Sequence, residues 1–340
     1  MYGRDQRGDL GLLEGEEREK ALRRERRAQK LKRALPALCA LVLVLVIALL
    51  HLFVPLSSLL PAYKLTARAE GELRVHFLDV GQGDCTVIEF PSGDVVLIDA
   101  GDGSFLNRIH TVRYLKALAP AHLTMILTHA DADHYGGFEA LVLAFGADIF
   151  YLPAAGEDTP EYAALLDAVE RSGAETGVMT RYGVIADRSG AYLACISPRS
   201  LDDEEGNEAS SVFYLRYEGV GVMLAGDISS AVERRLVREN ALLEGIFDCG
   251  DFRVRPEETE ILKVSHHGSA YSSCTEWLSL LSPEAAVVSC RAGNSFSHPS
   301  PEALGRISAV GAEIYRTDEL GDVIVGIHEG GYTLSYSGQR

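Results

Sequence analysis

Apolar residues follow two different patterns along the chain, one continuous and one broken into short runs. Residues 34–63 read ALPALCALVLVLVIALLHLFVPLSSLLPAY and contain no Asp, Glu, Lys or Arg. A helix of this length can cross the roughly 30 Å hydrocarbon core of a bilayer. A buried core helix is the alternative, but such helices keep a polar stripe and this run has almost none. We therefore predict a transmembrane helix over 34–63.

The flanking residues predict how this segment is oriented. Residues 1–33 hold 11 Lys and Arg against 7 Asp and Glu, and the basic side of a membrane helix faces the cytoplasm. A cytoplasmic tail would then precede the helix, and a linker, 64–72, would lead to an extracytoplasmic body, 73–340. ARA at 67–69 resembles a signal-peptidase site, but the basic lead and the apolar run are both longer than in a typical signal peptide. We predict an uncleaved single-pass anchor in the cell membrane.

From Leu73 onward the apolar runs shorten to strand length. LRVHFLDV, CTVIEF and DVVLIDAG are separated by the turn sequences GQGD and PSGD, which is typical of hairpin strands. Strands and helices then alternate, a pattern that predicts an α/β domain with helices packed outside its sheets. The predicted strands are 73–80, 85–90, 94–101, 123–128, 147–152, 191–196, 212–217, 220–225, 261–265, 285–290, 313–316 and 322–327. The predicted helices are 106–118, 136–145, 160–172, 229–243, 274–281 and 300–310, and 201–210 and 248–260 are predicted to be exposed loops.

Residues that can bind metal ions follow several of these predicted strands. His129 follows LTMILT, Asp227 follows GVMLAG, His266 and His267 follow ILKVS, and Asp99 follows VVLI. Layered α/β folds build their sites on the loops beyond strand ends. The sequence therefore predicts that these side chains meet in one site.

The segment THADADHYGG, 128–137, holds the densest group of potential ligands. In an extended start alternate residues face the same way, so His129 and Asp131 can share one ion, while Asp133 and His134 can face a second ion or a water. The glycines that follow would let the backbone pass close to the site. A solvated acidic loop is the alternative interpretation, and the histidines and aspartate at other strand ends favour the metal site.

Six segments in the same order resemble a known family. They are HFLDVGQGDCTVI, LIDAG, LTHADADHYGG, LAGDI, KVSHHGS and NSFSHPS. HADADH resembles the HxHxDH signature of the metallo-β-lactamase fold, with Asp131 in place of the second histidine. The full set resembles the hydrolase domain of the ComEC family of bacterial DNA-uptake proteins, from about Leu73 to Gly330. One departure is large, since this chain has a single predicted transmembrane segment and no multi-helix channel.

The resemblance implies a four-layer αββα sandwich that binds one or two divalent metal ions. His129 and Asp131 would hold the first ion. Asp133 and His134 would hold the second and orient the attacking water. Asp227 would bridge both ions and His266 would complete the second site, with the adjacent His267 as a possible additional ligand.

The family's middle metal histidine is missing, because no histidine lies between His134 and His266. Asn207, Ser210 and Ser211 match the family's Asn/Ser stretch there. The first site would then be rich in oxygen ligands, which shifts its preference toward Mn²⁺ or Mg²⁺ and away from Zn²⁺. We expect Mn²⁺ or Zn²⁺, with Mg²⁺ as a further candidate.

Four further residues are candidates for the rim of the site. Asp79, Gln82 and Asp84, in LDVGQGD, could line it or could simply stabilise a turn. His298, in SHPS, could donate a proton to the leaving group or contact phosphate, and a surface-loop histidine is the alternative. Lys263 is predicted to be structural.

Charge and cysteine content limit the possible functions. Residues 68–340 hold 20 Lys and Arg and 42 Asp and Glu, a net charge of −22, so the mean field of this body does not attract nucleic acid. The six cysteines show no CxxC spacing, which argues against a zinc ribbon. The resemblance to the ComEC family implies a metal-dependent nuclease that acts on single-stranded DNA in competence. The alternatives are a cell-wall choline-phosphate hydrolase and a non-catalytic metal-binding module that serves a separate DNA-uptake channel.

Overall fold

The computed structural model describes residues 23, 24, 26, 27, 29, 30, 32–46, 63–200 and 206–338. The chain divides into two compact units, 1–59 and 60–340. In the first unit residues 32–46 are helical. Among the described residues no helix is both long and apolar enough to span a membrane. Most of the predicted tail, 1–33, and half of the predicted transmembrane helix lie outside the described residues.

The second unit contains two large sheets. The first has eight strands in the order β17-β16-β1-β2-β3-β4-β5-β6. Its strands β3, β4, β5 and β6 are parallel to one another, and the pairs from β17 to β3 are antiparallel. The strands are β1 (Leu73–Phe77), β2 (Thr86–Glu89), β3 (Val95–Ile98), β4 (Leu123–Ile126), β5 (Ile149–Leu152), β6 (Glu175–Val178), β16 (Val323–His328) and β17 (Gly331–Tyr336).

The second sheet has seven strands in the order β15-β14-β13-β10-β9-β8-β7. Strands β10, β13, β14 and β15 are parallel, whereas β7 to β10 form antiparallel pairs. A separate hairpin joins β11 and β12. The strands are β7 (Val184–Ala186), β8 (Tyr192–Ser197), β9 (Val212–Tyr217), β10 (Val220–Leu224), β11 (Phe247–Cys249), β12 (Phe252–Val254), β13 (Ile261–Lys263), β14 (Ala285–Val288) and β15 (Glu313–Arg316).

Three apolar cores hold four layers together. One core joins the facing sides of the two sheets, with residues such as Phe77 and Val96 against Leu215 and Val222. The other two cores pack helices onto the outer face of each sheet, which gives the predicted αββα sandwich. The helices are α1 (Phe105–Leu118), α2 (Ala132–Tyr135), α3 (Phe138–Phe145), α4 (Pro160–Ser172), α5 (Ser230–Leu242), α6 (Thr275–Leu281), α7 (Pro301–Ala309) and α8 (Thr317–Leu320).

Each of the twelve predicted strands and six predicted helices has a counterpart in the structure, with ends shifted by up to three residues. The prediction that 248–260 is an exposed loop is wrong. This stretch carries β12 and the end of β11, and Val254, Pro256 and Thr259 are buried. Its charged residues 248, 251, 253 and 257 are exposed, whereas residues 249, 254, 256 and 259 are buried. Of 201–210, residues 201–205 lie outside the described residues, and Ala209 and Ser210 are buried.

The register of the parallel strands brings the polar loops together. Ile98 of β3 pairs with Ile126 of β4, so Asp99 lies beside the chain that leads to His129. In the other sheet Leu224 of β10 pairs with Lys263 of β13, which places the loop of Asp227 beside the SHHGS turn. Both loops emerge at the same edge of the sandwich, where the candidate site lies.

Candidate metal centre

The segment that follows β4 turns at once into the short helix α2. Asp131 is extended and caps this helix, and its carbonyl oxygen accepts the N–H of His134 at 2.9 Å. His129 and His134 are buried, and their ring centroids lie 4.1 Å apart. The sharp change from strand to helix therefore turns both imidazoles toward the same point.

One buried carboxylate, Asp99, orients both of these histidines. Its Oδ2 lies 2.8 Å from Nδ1 of His134 and accepts the hydroxyl of Thr128 at 2.8 Å. The Thr128 oxygen lies 3.0 Å from Nδ1 of His129. Because the Thr128 proton is already given to Asp99, His129 donates from Nδ1, as His134 does. Both rings then present Nε2, with its lone pair, to the site.

The SHHGS turn holds a third histidine in the site. His266 and His267 both have left-handed backbones, with φ of 49° and 53°, a conformation that costs energy in residues other than glycine. His267 is buried and its Nδ1 donates to the carbonyl oxygen of Ser289 at 3.0 Å. Its Nε2 therefore also carries the free lone pair.

Two side chains from helices hold the turn in this shape. The carboxylate of Glu233 on α5 accepts the Ser265 hydroxyl and the N–H groups of Ser273 and Cys274, each at 2.7 Å. From α7, Arg306 donates to the carbonyl oxygens of 270, 272 and 273 at 3.0, 2.7 and 2.8 Å. Glu233 thus holds the turn at Ser265, and Glu233 and Arg306 together fix the segment 270–274 that follows it.

The free atoms of the three histidines converge on Asp227. Oδ2 of Asp227 lies 3.3 Å from Nε2 of His134 and 3.2 Å from Nε2 of His267. The ligand atoms of His129, His134 and Asp227 all lie within 4.8 Å of one another, and so do those of Asp133, His134 and His267. Two adjacent three-ligand groups that share His134 are therefore present.

This set of atoms fits divalent metal ions. Nε2 of His129, His134 and His267 and Oδ1 of Asp227 are buried and have no hydrogen-bond partner among the described residues. Unsatisfied buried polar atoms are rare and costly in folded proteins. Neutral imidazoles with a fixed Nδ1 donor and a nearby carboxylate are the usual ligands of transition metals. The cluster is therefore compatible with a bound divalent metal ion.

The electrostatics of the cluster match this conclusion. Burial alone would raise the pKa of Asp227, but the adjacent His267 and His134 hold the pKa of its carboxyl well below the ordinary value. Burial alone would lower the pKa of His134, but the carboxylates of Asp227 and Asp99 raise it well above the ordinary value. Each group is thus stabilised in its charged form by its neighbours, and a bound cation would replace the imidazolium protons.

Asp84, one of the rim candidates, lies behind His267 instead. Its carboxylate is buried, 3.3 Å from Nδ1 of His267 and 2.7 Å from Nζ of Lys263. Lys263 therefore compensates the charge of a carboxylate that orients a histidine, which gives the predicted structural lysine a role in the site. Gly83 lets this turn approach the metal loop, because a Cβ there would lie 2.1 Å from the carbonyl oxygen of Asp133.

Other predicted residues lie at the rim. The carboxylates of Asp131 and Asp133 are 40% and 28% exposed, and Oδ2 of Asp131 lies 3.6 Å from Nε2 of His129. His266 is 28% exposed, with Nε2 3.8 Å from Oδ2 of Asp227 and 3.3 Å from Nδ2 of Asn207. His267, rather than His266, thus lies in the buried groups. The metal ligation of each residue stays a prediction.

The last two candidates have different surroundings. The His298 ring lies 5.3 Å from that of His266, and its Nδ1 is buried without a hydrogen-bond partner among the described residues. Asp79 accepts the N–H of Gly81 at 3.1 Å and donates its own N–H to Asp322, which is how a turn residue behaves. The structure therefore brings His298 to the metal centre and places Asp79 in the turn beside it.

Sequence reasoning missed the residues that support the site from a distance. Glu233 and Arg306 occupy helices whose sequences, SAVERRLVRENAL and PEALGRISA, look like ordinary amphipathic helices. The one available signal was Glu233, which falls beside Val232 and Leu236 on the apolar face of α5. A carboxylate on a buried face needs partners, although the sequence does not show which.

Fold and site together define a metal-dependent hydrolase of the metallo-β-lactamase type. The model of the Metallo-beta-lactamase superfamily matches residues 78–292, and the chain belongs to this superfamily. The chain is 26% identical over 272 residues to ComE operon protein 3 of Bacillus subtilis, covering 75% of this chain and 33% of that protein. It is 27% identical over 277 residues to Competence protein ComA of Neisseria gonorrhoeae, covering 79% and 34%. The predicted resemblance to the ComEC family is thereby confirmed.

The chain spans about a third of the length of these curated relatives. Among solved structures, a putative metal-dependent hydrolase from Parabacteroides distasonis is 10% identical, with a TM-score of 0.41, covering 75% of this chain and 99% of that one. Zn²⁺-bound PqqB from Methylobacterium extorquens is 12% identical, with a TM-score of 0.38, covering 69% and 85%. Likenesses this weak add nothing to the assignment.

Proposed function

We propose that this protein is a membrane-anchored, extracytoplasmic phosphodiesterase that cuts single-stranded DNA during DNA uptake. The convergence of the unpaired ligand atoms of His129, His134, His267 and Asp227 carries this proposal. Bound divalent ions would lower the pKa of water and stabilise negative charge on a phosphoryl group. The geometry thus supports hydrolysis, while the competence relatives suggest the substrate.

The chain's own residues would position the reacting groups. Asp133 combines a partly exposed carboxylate with an oxygen 3.5 Å from Nε2 of His267, which suits an acid that orients an attacking water. His298 lies beside His266. Burial and the adjacent His266 and His267 lower the pKa of the His298 imidazole, which favours its neutral form. A neutral ring would contact phosphate through its N–H, and a bound phosphate would favour the protonated form that passes a proton to the leaving oxygen.

The anchor and the partner are part of the same proposal. The relatives that match are about three times as long as the matched region, and a separate channel protein would supply what this chain's hydrolase region does not. An uncleaved helix over 34–63 would keep the body at the outer face of the membrane, where incoming DNA arrives.

A cleavage assay tests the catalytic proposal. The full-length chain is incubated with single-stranded and duplex DNA in Mn²⁺, Zn²⁺ or Mg²⁺, beside Asp133→Ala. We expect metal-dependent cutting of single strands that falls at least 100-fold in the variant. Asp167→Ala is the matched control, because Asp167 is an exposed acid on α4, paired with Arg171, and we expect no change. A metal-loaded chain that leaves DNA intact in every metal would refute the nuclease proposal.

The acidic body favours one alternative substrate. A net charge of −22 over 68–340 repels polyanions, whereas a choline-phosphate ester carries a cationic end. Hydrolysis of p-nitrophenyl phosphorylcholine without DNA cutting would support this cell-wall esterase. Metal-dependent DNA binding, without hydrolysis of either DNA or the choline-phosphate ester, would indicate a non-catalytic module that serves a channel.

A further inference from the structure

The loop of residues 291–299 lies beside the metal centre, because its His298 ring is 5.3 Å from that of His266. Arg291, at its start, is exposed, and its Cδ would lie 3.7 Å from a Cβ at Gly81, in the turn that packs on the metal loop. At its other end Pro299 packs against Gly268 of the SHHGS turn, where Ser300 donates its N–H to the Gly268 carbonyl oxygen at 2.8 Å. The loop therefore contacts the Gly81 turn at one end and the SHHGS turn at the other.

The side chain of Asn294 fixes the shape of this loop. Its Oδ1 accepts the N–H groups of Phe296 and His298 at 3.0 and 3.1 Å, and its Nδ2 donates to the carbonyl oxygen of His298. A loop folded around one amide side chain has few alternative conformations. The side chains at its tip are thus held in place before any ligand arrives.

Phe296 occupies that tip with its ring in solvent. The residue is 63% exposed, and its ring is stacked on His298, with centroids 5.8 Å apart and planes at 24°. His298 in turn contacts His266. One face of the Phe296 ring therefore packs toward the metal centre, while much of the ring remains exposed to solvent. An apolar side chain stabilises the fold only by being buried, so fold stability does not explain this exposed position.

We infer that Phe296 is a stacking platform for an unpaired base, and that Arg291 holds a phosphate of the same strand. This inference rests on the proposed nuclease function and adds the reason for single-strand selectivity. Bases stack on aromatic rings whatever their sequence, but a base inside a duplex has both faces covered by its neighbours. Arg291, exposed at the start of the same loop, would supply a local positive charge for the backbone.

Binding measurements can separate base stacking from backbone contacts. Fluorescence anisotropy in Mn²⁺ measures binding to three 15-nucleotide probes: oligothymidine, an abasic strand of tetrahydrofuran units, and a duplex. All variants carry Asp133→Ala, so that the probe is not cut. Phe296→Ala is compared with Phe296→Tyr, which keeps the ring. Tyr336→Ala is the matched control, because Tyr336 is a 58% exposed aromatic on β17, the edge strand of the first sheet.

Loss of a stacking ring weakens binding by about 5- to 150-fold per base. We expect Phe296→Ala to bind oligothymidine about tenfold more weakly, and the abasic strand less than twofold more weakly. Phe296→Tyr and Tyr336→Ala should bind like the parent. Equal losses on both strands, no loss on either, or no binding to any probe would overturn the inference.

The two proposals fail separately. If Phe296→Ala weakens binding only of the strand that carries bases, but the chain cuts no DNA, the nuclease proposal is refuted and the stacking proposal stands. If the chain cuts DNA in a metal-dependent way but Phe296→Ala weakens binding of oligothymidine and of the abasic strand equally, the stacking proposal alone is refuted.

Discussion

Replacement of Glu233 by alanine tests whether the SHHGS turn depends on its support from α5. The Glu233 carboxylate is fully buried and accepts three hydrogen bonds at 2.7 Å, from the Ser265 hydroxyl and from the N–H groups of Ser273 and Cys274. Alanine would leave these three donors without an acceptor inside the protein. The same turn carries His267, so both stability and metal binding depend on this contact.

The expected magnitude follows from those three donors. Each buried donor left unsatisfied costs about 1–3 kcal/mol, which sums to about 3–9 kcal/mol. Two effects reduce this sum. Burial raises the pKa of Glu233 even against its N–H and O–H donors, so the carboxylate itself is costly to bury, and water can enter the space that the side chain leaves. We expect a net loss of about 2–4 kcal/mol, a large part of the 5–15 kcal/mol of a typical domain.

Urea unfolding followed by circular dichroism measures this loss on the full chain, and a metal titration measures affinity alongside. Glu276→Ala is the control, because Glu276 is a 53% exposed acid paired with Arg234 at 3.1 Å, and exposed surface pairs contribute little to stability. If Glu233→Ala fails to fold, Glu233→Gln, which keeps one acceptor oxygen, should lose about half as much stability. A loss below about 1 kcal/mol for Glu233→Ala with unchanged metal affinity would refute this reasoning.

Three further predictions concern the metal centre. Asp99→Asn should weaken metal binding about 10- to 100-fold, because the carboxylate that orients His134 is lost. A competition titration with a chromophoric chelator measures this affinity, and an unchanged affinity would contradict the role of Asp99. Gly83→Ala should lower the free energy of unfolding in the same urea assay, because its Cβ would lie 2.1 Å from the Asp133 carbonyl oxygen at a φ of 123°. Gly93→Ala is the control, since Gly93 also has a positive φ but has open space around it, and it should lose less stability. Chelation should lower Tm by about 5–10 °C from a chain with metal at a hundredfold excess over Kd, and an unchanged Tm would argue against a bound ion.

The fold was predictable where a strand is buried on both sides. Val95–Ile98 and Ala285–Val288 are fully buried, and their apolar runs are legible in the sequence. The strands that were missed lie at edges or in hairpins. Glu175–Val178 is the outer strand of the first sheet and is mostly exposed, and Gly331–Tyr336 occupies its other edge. Such strands are stabilised by one neighbour and leave no apolar pattern.

The site was predictable in its residue types but not in its geometry. The sequence places two histidines side by side in SHHGS, and strand alternation would send one inward. That rule fails here because His266 and His267 both have left-handed backbones. Which of them enters the buried groups depends on contacts with Ser289 and Asp84, and both residues are remote in sequence. Local patterns carry no such information.

Part of the net negative charge of residues 68–340 is buried and does not face solvent. The net charge of −22 over 68–340 counts Asp84, Asp99, Asp227 and Glu233, which are at most 4% exposed. Asp84 is compensated by Lys263, and Asp99 and Asp227 face histidines that would hold cations. Exposed charges are screened within about 10 Å at 0.1 M salt. At contact a polyanion would therefore meet the metal centre, and the acidic surface would act mainly on its rate of approach.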